Sequence, residues 1–517
     1  MSRRPSALAA LFLAGVWLAA SPAQLMAGCG GSEKVGTSET ASIGVDSPSP
    51  LRRIEPHFFG FSFVSVEFQD SMWNVASRRV ESEAVKWLKD FPGAVYRYPG
   101  GTESNYFDWK AAVGMPDTRP GRKLVKWKDS VVAKFGLDEY LAFVREVGGQ
   151  PWYVANLYGE FGKEGDTQKL ADEAGQLAAY LRGRGVVLRW ELGNELDRGD
   201  YGWAVGKYVD KARRVAEAIR LADPQARFVA LMEDYDAHWR WRRMRASDYN
   251  REVATALGDL ASEYAQHSYY DGVNVEVPLS VPNRVAQLCQ GIDAAAQAKP
   301  QAGGIGIWVT EHARQPVKSA KNADWRPTWS HSANLAAALG VADLMIAAAQ
   351  VPEVNGLFVH ALHGLDVPWP MFHKSEGGAR IHPSAVFHAL HLLRQSMEPE
   401  VLRTVTRSPN KSNYAGGYDV RATVMADAAR TRWTVWAVNR SDREQAVVLR
   451  IPALAGRQMR AGMRVLGDEN LKANNYLDGK RLQPRDLPHA DLAFGADGSA
   501  AIVIPPQSIA VVRLASR

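Results

Sequence analysis

Two glutamates stand where a side chain can do chemistry. Glu195 lies in WELGNELD (190–197) and Glu311 in GIGIWVTEHAR (304–314). Each closes an apolar, β-branched and aromatic run that reads as a core strand. A carboxylate there is costly unless it is partnered or used. In a barrel enzyme, the C-terminal ends of the strands are where catalysis sits. Two carboxyl groups facing one bond are what glycoside hydrolysis requires. One must hold a proton near neutral pH and so needs a raised pKa, while the other must stay ionised to attack the anomeric carbon. The two residues are 116 positions apart, and only a fold that brings both strand ends to one face can pair them.

Other polar groups gather at similar places. Asn194 precedes Glu195. FFGFSFVSVEF (58–68) alternates apolar and small residues, fits a first strand, and carries Glu67 near its end. Glu67 reads either as a pocket residue or as an ion-pair partner for Arg97. RYPGG (97–101) lets the backbone turn sharply and is followed by Thr102, Glu103 and Asn105, which contact a ligand or hold the loop. Asn156 ends the strand PWYVANL (151–157). His363 and Trp369, in HGLDVPWP, line a pocket or close the barrel.

The elements that must position these residues alternate strictly, strand then helix, eight times. The helical stretches show apolar spacing of three and four, as in GLDEYLAFVREVG (136–148). Such alternation implies a parallel sheet, and eight units imply an α/β fold of the (β/α)8 TIM-barrel type. The rival is an open doubly wound sheet, but no G-x-G-x-x-G opens a helix after the first strand. Beyond about residue 400 the pattern becomes short alternating strands separated by turn signals, which predicts a C-terminal β-sandwich. The expected division is a signal over 1–28, a linker with a possible sandwich strand over 29–50, the catalytic barrel over 51–398 and the sandwich over 399–517.

With 517 residues, 46% hydrophobic and 23% charged, the chain reads as a globular protein of more than one domain. Its net charge of +6 is mild for this size and gives nucleic-acid binding no support. A polyanionic carbohydrate would suit it. The start reads as a targeting segment: Arg3 and Arg4, a 14-residue apolar stretch over 7–20, and a small-residue cleavage site at 21–23. A second reading takes Met26-Ala27-Gly28-Cys29 as a lipobox, with a lipid anchor on Cys29. Either makes the protein exported: periplasmic, outer-membrane-anchored or secreted. Cys289 is the only other cysteine. It falls in a helical pattern, so an apolar filler is expected rather than a disulfide. No His/Cys cluster has metal-ligand spacing.

Taken together, these motifs resemble the retaining glycoside hydrolases of the large (β/α)8 clan that carry an Asn-Glu acid/base on the fourth strand. Within that clan the chain is most similar to α-L-arabinofuranosidases and heparanase-like β-glucuronidases. The resemblance implies Glu195 as acid/base, Glu311 as nucleophile and Asn194 as partner of the sugar 2-hydroxyl. HSYY (267–270) resembles a sixth-strand motif and implies that Tyr269 contacts the nucleophile. The first-strand motif brings Glu67 into the pocket. The chain departs from arabinofuranosidases at Thr102, where Asn is usual, and in TEHAR. The mechanism needs no metal or organic cofactor, and the expected partner is a carbohydrate. Two alternatives stand beside a polysaccharide hydrolase: a hydrolase or transglycosylase linked to the organism's own exopolysaccharide, and a non-catalytic carbohydrate-binding barrel.

Overall fold

Eight parallel strands pair in sequence order and the eighth returns to the first, so the sheet is a closed barrel without an edge. They are Phe59–Ser62, Val95–Tyr98, Gln150–Ala155, Arg189–Leu192, Arg227–Leu231, Ala261–Tyr270, Gly306–Arg314 and Val354–His360. The computed structural model describes residues 35–186, 188–198, 201–233, 246–272, 280–298, 304–316, 326–374 and 380–516. The N-terminal targeting segment and Cys29 lie outside them.

Helices cover the barrel because each has one apolar face. Val205–Ala222 buries Tyr208, Ala212, Val215, Ala216 and Ile219 at helical spacing. Leu335–Ala349 is different: nearly every residue is buried, because it packs against barrel strands on one side and the second domain on the other. Its start is fixed by Asn334, whose side chain accepts a hydrogen bond from the Ala337 N–H. Among the described residues no helix is long and apolar enough to cross a membrane.

The second domain is one mixed, largely antiparallel ten-stranded sheet that folds over its own core. Ile43, Leu402, Val424, Val435, Leu449, Ile504 and Val512 meet inside it. The stretch around Ile43 is one long strand, Ala41–Arg53. It pairs antiparallel with Glu400–Ser408 and parallel with Gln445–Arg450. The chain therefore lays down a strand of this domain before it enters the barrel.

One reading of the sequence needs correction. The first strand stops at Ser62, and Ser65–Met72 is a helix, so Glu67 sits in a helical first turn rather than at a strand end. Apolar alternation over 58–68 suits both, since Val64, Val66 and Phe68 are buried either way. The run over 500–515 is two strands, Ser499–Ile504 and Ser508–Ser516, divided at Pro505. The strand Arg485–Ala493 was not legible because it is mostly exposed and lacks alternation. Cys289 is buried in the helix Val281–Ala298.

Candidate active site

The inside of the barrel is filled in two layers. The lower is aromatic: Trp152, Trp308 and Phe358, with ring centroids 5.0–5.7 Å apart. Above it lies Arg97, fully buried on the second strand. A buried guanidinium must be paired, and Arg97 is paired by three strands. Its Nε and Nη2 donate to the two oxygens of Glu191 on the fourth strand at 2.7 and 3.0 Å. Nη1 donates to Glu311 Oε1 on the seventh at 2.8 Å and to Ser62 Oγ on the first at 3.1 Å. Nη2 also donates to Asn194 Oδ1 at 2.7 Å. Burial opposes the Arg97 charge, but Glu191 and Glu311 more than offset it, so its pKa is raised. Trp152 Nε1 and Thr310 Oγ1 complete the shell of Glu191 at 2.8 and 3.0 Å. Arg97 thus pairs with Glu191 and Glu311, which corrects the reading that made it a partner of Glu67.

Glu311 has a donor on each oxygen. Arg97 holds Oε1, and the Tyr269 hydroxyl donates to Oε2 at 2.6 Å. His267 Nδ1 and His360 Nδ1 lie 3.5 and 3.6 Å from Oε2. Burial would raise the Glu311 pKa. The positive surroundings of His267, His360 and Arg97 and the Tyr269 bond win, and hold it well below the usual carboxylate range.

Glu195 sits on a constrained turn. The fourth strand ends at Leu192, Gly193 has φ +93°, and Glu195 itself has φ +46°. A non-glycine residue in that left-handed region is strained, and such strain persists where surrounding contacts fix it. Here Asn105 does so: its Nδ2 donates to the Asn194 carbonyl at 2.8 Å and its Oδ1 accepts from the Asn194 N–H at 3.3 Å. The Glu195 side chain is 20% exposed, against 4% for Glu311. Arg198 donates to Oε2, and Oε1 lies 2.9 Å from His267 Nδ1. Burial raises the Glu195 pKa, but Arg198 and His267 lower it overall, which corrects the expectation of a raised pKa on the acid/base. His267 carries the opposite burden. Burial disfavours its charge, yet Glu311 and Glu195 push it up to about 9.

Glu195, His267 and Glu311 bring one ligand atom each within 4.8 Å of the others. Three such groups could chelate a cation. The oxygens nearest His267, Glu195 Oε1 and Glu311 Oε2, already meet His267 Nδ1 and the Tyr269 hydroxyl, so a cation there would have to displace those contacts.

The remaining candidates divide. Trp369, at φ +71°, stands beside Tyr269 and His360 with centroids 5.3 and 5.1 Å away, and its Nε1 donates to the Arg314 carbonyl at 3.0 Å. It belongs to the wall around Glu311. Asn194 keeps a buried Nδ2 with no partner among the described residues. Thr102 opens the 3-10 turn after Gly100 and Gly101; a Cβ on Gly100 would lie 1.8 Å from the Phe63 carbonyl oxygen. Glu103 is buried and caps the helix Ser65–Met72, accepting from Ser65 Oγ at 2.5 Å and the Val66 N–H at 3.0 Å. Burial still pushes it up to about 7. Glu67 lies 3.6 Å from His363 Nε2 and is pushed up to about 8 by burial and by Glu103. Asn156 is turned into its own loop, accepting from the Tyr158 and Gly159 N–H groups at 3.0 and 2.8 Å. Sequence reasoning did not single out Glu191, His267 and His360. The available signal was Arg97 itself, a charge within the buried strand Val95–Tyr98 that demands acidic partners.

Comparison with known proteins follows this geometry. The family model "Alpha-L-arabinofuranosidase 1 domain" matches residues 87–273. The chain is 24% identical over 294 residues to a probable α-L-arabinofuranosidase C of Aspergillus fumigatus, covering 51% of this chain and 56% of that one. It is 26% identical over 256 residues to an intracellular exo-α-(1→5)-L-arabinofuranosidase of Streptomyces lividans, covering 45% of this chain and 37% of that one. The chain thus spans about half the length of the curated relatives it matches, or less. Among solved structures it superposes on an α-L-arabinofuranosidase from Thermotoga maritima with a TM-score of 0.73 at 17% identity, covering 92% and 99% of the two chains. A GH51 arabinofuranosidase from Xanthomonas axonopodis pv. citri gives 0.74 at 16%, with the same coverage. The fold is that of these proteins: a closed (β/α)8 barrel joined to a β-sandwich.

Proposed function

We propose that this protein is a retaining glycoside hydrolase in which Glu311 is the nucleophile and Glu195 the acid/base. The observation that carries the reading is the closeness of the two carboxylates, one oxygen of each lying within 4.8 Å of the other. Retaining enzymes need roughly 5 to 5.5 Å and inverting ones about 6.5 to 9.5 Å. The similarity to arabinofuranosidases supports the same class.

In the first step a Glu311 oxygen bonds to the anomeric carbon as the glycosidic C–O bond breaks, and Glu195 gives the leaving oxygen a proton. Water, deprotonated by Glu195, then hydrolyses the glycosyl ester. Arg97 and Tyr269 orient Glu311 through one bond to each oxygen. Before substrate reacts, the proton resides on His267, 2.9 Å from Glu195. Its basicity depends most on the Glu311 charge among the attractive influences. Forming the ester consumes that charge, so His267 becomes more acidic as the leaving oxygen needs a proton, which passes through Glu195. The spare Nδ2 of Asn194 suits a sugar hydroxyl.

Two features bear on the substrate. Relatives act on arabinofuranosides, whereas Thr102 and TEHAR depart from the usual arabinofuranosidase pattern. The loop that leaves the second strand exposes Trp127, 62% accessible, beside exposed Lys126. An indole that stacks on sugar and an ammonium that takes a carboxylate fit an acidic polysaccharide. Export by the N-terminal segment fits an extracellular polymer. An intact mass would show whether Cys29 carries a lipid anchor. The test is a screen of aryl arabinofuranosides, aryl glucuronides and uronic-acid polymers, with NMR of the first product. Retained anomeric configuration is expected, with Glu195→Gln and Glu311→Gln each lowering turnover about 10²- to 10⁴-fold. Near-wild-type turnover in either variant would refute that residue's role.

A further inference from the structure

The sandwich meets the end of the sixth barrel strand at Asp271. Asp271 follows Tyr270 at the end of the sixth strand, with φ +52°. Its Oδ2 accepts from Arg440 Nη1 at 2.9 Å and its Oδ1 from the Tyr414 hydroxyl at 3.1 Å. Both donors come from the second domain. The Arg440 guanidinium also lies over the Tyr414 ring, 3.7 Å from its centroid. Its Nε donates at 2.8 Å to Asp343 of the helix Leu335–Ala349, which also accepts from the Tyr418 hydroxyl at 2.6 Å. Arg421 Nε is 3.0 Å from the other Asp343 oxygen. Two arginines and two aspartates are therefore matched at a buried junction. Gly340 makes the room: a Cβ there would lie 2.8 Å from the Tyr270 ring and 3.1 Å from Asp271 Oδ2.

This junction is two residues from Tyr269. The Tyr269 carbonyl accepts from Arg284 Nε at 2.6 Å, and the Tyr270 carbonyl accepts from the Gln315 N–H, just past the seventh strand, at 2.9 Å. The strand end is thus pinned on both sides, and what it presents is the hydroxyl 2.6 Å from Glu311. Misplacing a catalytic contact by about 1 Å can cost about 10²-fold in rate.

We propose that Arg440 and Tyr414 are positioning residues: through Asp271 they hold the end of the sixth strand so that the Tyr269 hydroxyl stays on Glu311. The inference rests on Glu311 being the nucleophile. A double-mutant cycle tests it on the aryl glycoside that the full chain cleaves. Arg440→Met should lower kcat about 10- to 100-fold with KM within about twofold, and the loss should disappear in a Tyr269→Phe background. Tyr414→Phe should act in the same direction, more weakly, and its cycle decides the matter if Arg440→Met does not fold. Arg421→Met removes a charge from the same junction without touching Asp271 and should leave kcat unchanged. Additive losses in the two backgrounds, or an equal loss in Arg421→Met, would overturn the inference. An active Glu311→Gln would remove the nucleophile assignment and this inference with it; an inactive Glu311→Gln with an additive cycle overturns the inference alone.

Discussion

At the scale of single residues, the site is an arginine shared between two acids. Arg97 pairs with Glu191 through two bonds and with Glu311, the proposed nucleophile, through one, so its removal has two separable costs. Arg97→Met should destabilise the protein by about 3–5 kcal/mol, because Glu191 is left buried without its counter-charge; urea unfolding measures this. Tyr269→Phe removes only a hydroxyl, and we expect kcat to fall about tenfold or more with the unfolding midpoint little changed. Glu195 and Glu311 were legible because each interrupts an apolar run with a charge. Glu191 was not, since it lies inside the run and its partners are 94 and 119 positions away.

At the scale of elements, the decisive feature is the turn after the fourth strand. Asn105 grips both main-chain groups of Asn194 and so sets the backbone of Glu195. Asn105→Ala should cost about 1–3 kcal/mol for the two orphaned buried groups and should lower kcat more than it raises KM. A rate equal to wild type would mean that the turn holds itself. The order of strands and helices could be read from periodicity, because most helices have one apolar face and each barrel strand is a short apolar run. The end of the first strand could not. What turns that chain into a helix is the Glu103 carboxylate on the Val66 N–H, a contact made across 37 positions.

At the scale of the whole molecule, buried titratable groups set the pH range of stability. His312, His363 and His373 are pushed down to about 3 and His388 to about 4, mainly by burial. Unfolded, they take up protons near 6.5. The unfolded state then binds more protons than the folded one, so stability falls as pH drops below about 6.5. Glu67 and Glu103 act oppositely: raised to about 8 and 7, they keep protons in the fold that the unfolded chain releases near 4.5, and that contribution is lost as pH rises. His267, raised to about 9, is fully stabilising below about 6.5 and loses its contribution toward 9. Four histidines outweigh two glutamates on the acid side. Thermal unfolding followed from pH 4 to 9 should therefore show a maximum Tm near pH 6.5. A Tm that rises steadily down to pH 4 would mean that these histidines are accessible to protons in the folded state.

The most direct test of the central claim is to trap the covalent intermediate. The protein is incubated with an activated 2-deoxy-2-fluoro analogue of whichever glycoside the screen identifies, digested, and the labelled peptide sequenced by mass spectrometry. One glycosyl group is expected, esterified to Glu311. A label on any other side chain, or complete turnover of the unfluorinated glycoside to an inverted product with no labelled peptide, would contradict it.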